Sequence, residues 1–308
     1  MTDVVLNDIT KTYNDGKLVA VDKVSFSVEQ GELFGLIGPD GAGKTSIFRM
    51  LTTLLLPDAG SASVNGHDVV KGYKEIRKSV GYMPGKFSLY QDLSVEENLN
   101  FFATVFNTTV EANYDLIKEI YVQIEPFKTR RAGKLSGGMK QKLALCCALI
   151  HRPTVLFLDE PTTGVDTVSR KEFWDMLKRL KQQGITILVS TPYMDEATLC
   201  ERIALIQTGK IMSIDTPGNI TKQYPDPLYA IRAAHMGHLL KDLRLIDSVK
   251  SCYAFGETHH IAFRQEGLDS QRNLIAELEK RSHADIEIKK IVPTIEDCFI
   301  QLMNNGND

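Results

Sequence analysis

The pattern of apolar and polar positions divides the chain into stretches of different character. To about residue 82 it reads as short strands and turns: 4–9, 24–28 and 61–64 have strand character, with Asp-Gly, Gln-Gly and Asn-Gly turns between. The apolar run 33–37 is a further strand, and helical spacing follows from Lys44 to about Leu56. From 84 to 150 the spacing is mainly helical. Ser94 and Glu97 stand as an N-cap and its reciprocal partner, with Leu99, Phe102, Ala103 and Phe106 on one helical face behind them. Further helices are predicted over 114–125 and 139–150. Continuous apolar runs return at 155–158, 185–189 and 203–206, with a helix over 173–181. Strands of that kind are buried on both faces, as in a parallel sheet covered by helices.

Past Gly209 the sequence becomes Pro- and turn-rich (Thr216-Pro217-Gly218, Tyr224-Pro225-Asp226-Pro227) and reads as a linker. Beyond it the pattern predicts strand 228–233, helix 238–244, strands 249–255 and 259–263, helix 270–281, strand 285–291 and helix 294–303. The order β-α-β-β-α-β followed by a helix is the split ferredoxin-like α+β pattern. The expected organisation is one domain over 1–222, with a helical subdomain at about 84–150, and an accessory or regulatory domain over 223–308.

Composition narrows the class. A chain of 308 residues with 43% hydrophobic and 24% charged residues is long enough for one large or two ordinary cores. No apolar run approaches the ~18 residues of a membrane span. The N-terminal Met1-Thr2-Asp3-Val4 lacks the basic flank and apolar core of an export signal. A net charge of −3 weighs against a dedicated nucleic-acid binder. Five scattered cysteines without C-x-x-C spacing read as reduced thiols of a cytoplasmic protein.

The chemistry begins at 38–45. Gly38-Pro39-Asp40-Gly41-Ala42-Gly43-Lys44-Thr45 is a complete phosphate-binding loop between a strand and a helix. Its glycines let backbone N–H groups approach phosphates, and the helix N-terminus adds a partial positive charge. Lys44 can bridge the β- and γ-phosphates, and the Thr45 hydroxyl can ligate Mg²⁺. The chain is expected to bind ATP or GTP, with Ser46 completing the cradle. Ser136-Gly137-Gly138 opens a helix and offers a second phosphate-binding geometry. The strand 155–158 runs into Asp159 and Glu160. Asp159 suits a Mg²⁺ sphere, and Glu160 suits a general base that orients the attacking water.

In joint order and spacing these motifs resemble the ATPase subunit of an ABC transporter, over roughly residues 3–220. The resemblance implies an ABC-type P-loop NTPase fold, α/β with a mixed sheet core, an antiparallel β subdomain and a helical subdomain. It implies that Tyr13 stacks on adenine and that Ser136, Gly137 and Gly138 contact the γ-phosphate held by the opposite subunit. It implies that Asp166 lies in a loop crossing the interface of a head-to-tail dimer. Integral membrane permease subunits are the implied partners, which would place the chain on the inner face of the plasma membrane. The segments 87–99 and 293–299 are similar to drug- and antibiotic-export ATPases with a C-terminal extension.

Two positions depart from the family pattern. After Gly81-Tyr82-Met83-Pro84 the family has a glutamine, and here Gly85 stands; after Leu188-Val189-Ser190-Thr191 it has a histidine, and here Pro192 stands. Neither replacement offers a side-chain hydrogen bond, so the chain's own Walker site is expected to be slow. Three functions follow: an ATP-hydrolysing exporter subunit, an ATP-gated and largely non-hydrolysing partner in a heterodimer, or a non-transport ABC ATPase acting on DNA or ribosomes. The last lacks its usual coiled-coil insertion or duplicated unit. His259-His260, adjacent on a strand, face opposite ways and are not read as a metal site, and Cys146-Cys147 read as helix core. The mixed charges of Glu119, Glu125, Lys128, Arg130 and Arg131 read as a solvated helix face.

Overall fold

The computed structural model describes residues 1–86, 88–267 and 269–305. Backbone packing divides the chain into two compact units, Met1–Gly218 and Asn219–Asp308. In the first unit the strands are β1 (Thr2–Tyr13), β2 (Leu18–Glu29), β3 (Leu33–Ile37), β4 (Ala59–Val64), β5 (His67–Asp68), β6 (Val80–Met83), β7 (Val155–Asp159), β8 (Thr186–Thr191), β9 (Arg202–Gln207) and β10 (Lys210–Asp215). The helices are α1 (Lys44–Leu51), α2 (Tyr73–Ser79), α3 (Val95–Val105), α4 (Tyr114–Tyr121), α5 (Gly137–Leu149) and α6 (Thr167–Gln182). A seventh helix, α7 (Pro217–Lys222), spans the division between the units.

Two sheets and one helix set the core of this unit. A six-stranded sheet runs in the order β10-β9-β3-β8-β7-β6. It is parallel from β9 to β6, with β10 antiparallel at its edge. Every residue of β3, β7 and β8 is buried, which is why these strands read as unbroken apolar runs. A four-stranded antiparallel sheet has the order β2-β1-β4-β5. Helix α1 packs into the same core as residues of both sheets through Ile47, Phe48, Met50 and Leu51. Phe48 meets Phe157 of β7 edge-on at 5.7 Å, and Phe26 of β2 stacks on Phe34 of β3 at 5.3 Å. The phosphate loop is thus held between a fully buried strand and a helix anchored in the same core.

Helices α3, α4 and α5 form the helical subdomain. Ser94 caps α3 reciprocally, accepting from the Glu97 N–H at 3.2 Å while Glu97 accepts from the Ser94 N–H at 2.7 Å. A cap of this kind stabilises by about 1 kcal/mol. Phe87, within the segment similar to exporter ATPases, lies outside the described residues.

Several expectations are corrected. Helix α1 stops at Leu51, because Thr53 takes φ +62° and the N–H groups of Leu54 and Leu55 turn back onto the Arg49 carbonyl. Helix α4 stops at Tyr121, and Pro126 follows in a short 3₁₀ turn, Glu125–Phe127. The stretch after Gly209 is not an open linker: β10 completes a hairpin with β9, and α7 follows. Helix α2 and strand β6, seven and four residues long, are too short for a pattern to mark them.

The second unit contains β11 (Leu228–Arg232), α8 (Met236–Leu243), β12 (Val249–Phe255), β13 (Thr258–Phe263), α9 (Ser270–Lys280), β14 (Glu287–Ile291) and α10 (Ile295–Asn305). Its antiparallel sheet has the order β12-β13-β11-β14, which is the ferredoxin-like arrangement. Leu239 and Leu243 of α8 and Leu274 and Leu278 of α9 share a core with Ile231, Ile261 and Phe263. The adjacent histidines of β13 bond to different elements, His259 to the Met236 carbonyl at 2.8 Å and His260 to Asp297 at 2.7 Å.

Candidate nucleotide site

The loop 38–45 leaves the C-terminal end of β3 and enters α1 at Lys44. Two of its glycines are dictated by space. A Cβ on Gly38 would sit 2.2 Å from the Ile206 carbonyl oxygen of β9. One on Gly43 would sit 2.3 Å from the Ala20 carbonyl oxygen, at φ +105°. The Gly38 N–H is taken by the Thr191 carbonyl at 3.2 Å and the Ala42 N–H by Pro39 at 3.2 Å. The first N–H groups of α1 have no partner within the helix and carry the positive end of its dipole. Asp40 and Gly41 form the exposed tip of the loop, and Thr45 and Ser46 are half-buried in the first turn of the helix. Ser46 lies 3.1 Å from the hydroxyl of Tyr13 at the end of β1.

Lys44 is the electrostatic centre. Its side chain is 2% exposed, and its ammonium donates to the Gly38 carbonyl at 2.8 Å and the Pro39 carbonyl at 3.0 Å. The same nitrogen pairs with Glu160 Oε1 at 3.2 Å. A strand-end carboxylate and the loop lysine, 116 positions apart by sequence number (160 − 44), thus share one point in space.

Ser190 of β8 positions both carboxylates. Its hydroxyl donates to Asp159 Oδ1 at 2.6 Å. The Glu160 N–H donates back to the Ser190 hydroxyl at 3.1 Å and to its carbonyl at 3.0 Å. Asp159 is buried, and its Oδ2 has no hydrogen-bond partner among the described residues. Nearby Tyr82 has its phenol pushed up to about 12, by burial first and by the Asp159 charge second, so it stays neutral. Glu160 takes φ +50°. A non-glycine residue held there stores about 1–3 kcal/mol of strain, a cost that clusters at functional sites.

Gly85 borders these groups. A Cβ there would lie 3.0 Å from the Asp159 carbonyl oxygen and 3.6 Å from Glu160 Cβ. Pro192 directly follows Thr191, whose carbonyl holds the Gly38 N–H. The positions that depart from the family pattern therefore flank the strand ends that carry the loop and the carboxylates.

The signature turn packs on α6. Ser136 caps α5, its hydroxyl 3.4 Å from the Met139 N–H. A Cβ on Gly138 would meet the Ser169 hydroxyl at 2.9 Å, and one on Gly137 would meet the Gly164 carbonyl at 3.5 Å. Asp166 caps α6, accepting from the Val168 N–H at 3.1 Å and the Ser169 N–H at 3.0 Å. Those hydrogen bonds, from Ser169 above all, hold its carboxyl below the usual range. Beside it Val168 is 70% exposed.

Sequence reading missed Ser190 and a buried network behind it. Glu196 accepts from Thr162, Thr191 and Arg170, whose guanidinium also lies 4.3 Å over the Tyr193 ring. These partners lie on separate segments, so no local motif marks them.

Comparison with known proteins decides the family. Residues 21–163 match the ABC transporter family. A doxorubicin resistance ATP-binding protein, DrrA of Mycobacterium tuberculosis, is 34% identical over 322 residues, covering 99% of this chain and 95% of the relative. The chain belongs to the ABC transporter ATP-binding proteins. A probable multidrug ABC transporter ATP-binding protein of Escherichia coli, YbhF, is 38% identical over 311 residues, covering 98% of this chain and 52% of that protein. The chain thus spans about half the length of YbhF. Among solved structures, an ATP-binding subunit of an ABC transporter superposes with a TM-score of 0.64 at 27% identity, over 72% of this chain and 93% of its own. An ATP-binding cassette solved as a dimer in a post-hydrolysis state with ADP and phosphate gives 0.63 at 25% identity, over 69% and 98%.

Proposed function

We propose that this chain is the ATP-binding and ATP-hydrolysing subunit of an ABC exporter of drug-like compounds, coupling ATP-driven dimer closure to a partner permease. The observation that carries the reading is the convergence of Lys44 and Glu160 at 3.2 Å on the C-terminal edge of a parallel sheet, next to an unpaired helix N-terminus. Residues 38–46 cradle the triphosphate, with Lys44 on the β- and γ-phosphates, and Tyr13 stacks on adenine. Thr45 and Asp159 fit Mg²⁺, because they bring hard oxygen donors and Asp159 keeps one oxygen free of the Ser190 bond. The metal, when bound, neutralises phosphate charge. Glu160 then takes the proton of the attacking water. Its side chain is 23% exposed, which leaves water access that Asp159 lacks.

Ser136, Gly137 and Gly138 would serve the γ-phosphate of the opposite subunit, with Asp166 and the exposed Val168 beside them at the dimer face. The permease is proposed to dock on an apolar groove of about 190 Å³ between β6 and the helical subdomain, lined by Leu54, Met83, Leu89, Phe102, Phe106 and His151. Leu54 on its rim is 59% exposed. Among the described residues no helix is long and apolar enough to cross a membrane. The proposed location is the cytoplasmic face of that membrane.

A second reading, an ATP-gated partner that turns over little at its own site, is favoured by Gly85 and Pro192, which put no hydrogen-bonding side chain next to Asp159 and Thr191. Glu160→Gln separates the two readings. In the first it should keep ATP binding, lower hydrolysis about 10²–10⁴-fold and accumulate an ATP-bound dimer in sedimentation with Mg·ATP. An active parent whose rate the change leaves unaltered removes Glu160 as the base, whereas a parent already nearly idle, with a rate the change leaves unaltered, is the result of the second reading.

A further inference from the structure

Glu196 is a buried carboxylate, 2% exposed, that the proposed hydrolysis does not use. Its Oε1 accepts from the Thr162 hydroxyl at 2.7 Å and from Arg170 Nε and Nη2 at 3.1 and 3.0 Å. Its Oε2 accepts from the Thr191 hydroxyl at 2.5 Å, and the Thr191 hydroxyl in turn accepts from the Tyr193 N–H at 3.1 Å. One side chain thereby joins the loop after β7, the end of β8 and helix α6.

The loop it joins contains the strained residue. Glu160, at φ +50°, is fixed on its upstream side by Ser190 and closes a turn in which the Thr163 N–H meets the Glu160 carbonyl at 3.2 Å. Thr162 lies inside that turn, is 1% exposed, and gives its hydroxyl to Glu196. A left-handed glutamate persists only where its surroundings over-determine it. Ser190 supplies one side of that constraint and the Thr162–Glu196 bond supplies the other. Arg170 keeps the carboxylate compensated, as a buried charge requires.

We propose that Glu196 is a positioning residue that, through Thr162, holds Glu160 in its left-handed conformation and so sets the direction of its carboxylate. The proposal rests on the reading of Glu160 as the general base. It also ties that residue's position to α6, whose first turn is capped by Asp166.

Thr162→Val in the full-length chain tests it, since valine keeps the shape and removes one donor. Single-turnover hydrolysis should fall about 10- to 100-fold, the cost of a small misplacement of a reacting group, with ATP affinity unchanged within about twofold. In a Glu160→Gln background the same change should cost nothing further, because the group being positioned is gone. Amide hydrogen exchange over 159–166 should quicken while that of 44–51 stays as in the parent. Glu196→Gln should repeat the pattern and guards against a site-specific effect of valine. A purely structural role would give losses that multiply in the double variant, and that result, or an unchanged rate and exchange, overturns the proposal. If Glu160→Gln itself hydrolyses like the parent, the base assignment fails separately, and the exchange over 159–166 then decides the positioning claim.

Discussion

Replacing Lys44 by alanine should do two things at once. The side chain is buried and its ammonium holds the Gly38 and Pro39 carbonyls at 2.8 and 3.0 Å and Glu160 at 3.2 Å. Hydrogen bonds from a charged donor contribute about 1.5–3 kcal/mol each. Removing the buried charge returns part of that, since its desolvation is also relieved. A net loss of about 1–3 kcal/mol in the nucleotide-free protein is expected. Ligand linkage separates this from binding. At 100 times its dissociation constant ATP stabilises the parent by about 2.7 kcal/mol. For a unit of this size that is about 5–10 °C in the Tm of the nucleotide-binding unit. In Lys44→Ala that shift should all but vanish, with far-UV circular dichroism unchanged below the transition. A variant that starts lower but is raised by Mg·ATP as much as the parent would show that Lys44 is structural and that the phosphates bind elsewhere.

Two further changes probe the loop and its frame. Gly43→Ala places a Cβ 2.3 Å from the Ala20 carbonyl at φ +105°, so it should abolish ATP binding in a titration, whereas Gly41→Ala, with open space at φ +79°, should bind more weakly but measurably. Asp58, bonded to Lys11 and to Thr12, has its carboxyl lowered to about 2, with the Lys11 bond the largest cause. A depressed carboxylate contributes stability above its unfolded value and loses it as pH falls, so the parent and Asp58→Asn should differ in Tm above about pH 4 and converge by about pH 2.

The sheet strands, the capping box at Ser94 and the ferredoxin-like order were legible because each is written in a contiguous stretch. Buried strands must be apolar on both faces, and a capping box places its partners three residues apart. The short α2 and β6 were not legible, because their stability comes from tertiary packing. The end of α1 was missed because the return of Leu54 and Leu55 onto Arg49 is set by the φ of Thr53, and threonine gives no signal for a left-handed turn. In the nucleotide site the motifs name Lys44, Asp159 and Glu160, while the groups that aim them do not advertise themselves. Ser190 bonds Glu160 across 30 positions of sequence, and Thr162 and Arg170 bond Glu196 across 34 and 26.

The account turns on whether Gly85 and Pro192 slow the chain's own site. The direct measurement is single-turnover ATP hydrolysis by the unmodified chain and by Gly85→Gln with Pro192→His, with protein in excess over ATP. The new Cβ at residue 85 starts 3.0 Å from the Asp159 carbonyl oxygen, so a shift of a few tenths of an ångström is needed to seat it. Hydrogen bonds made in the transition state are worth about 10²–10³-fold in rate each. The account predicts a slow parent and a gain of at least about tenfold on restoration. A parent that already turns over at an ordinary enzymatic rate of about 1–10³ s⁻¹, with no gain in the restored variant, would contradict it.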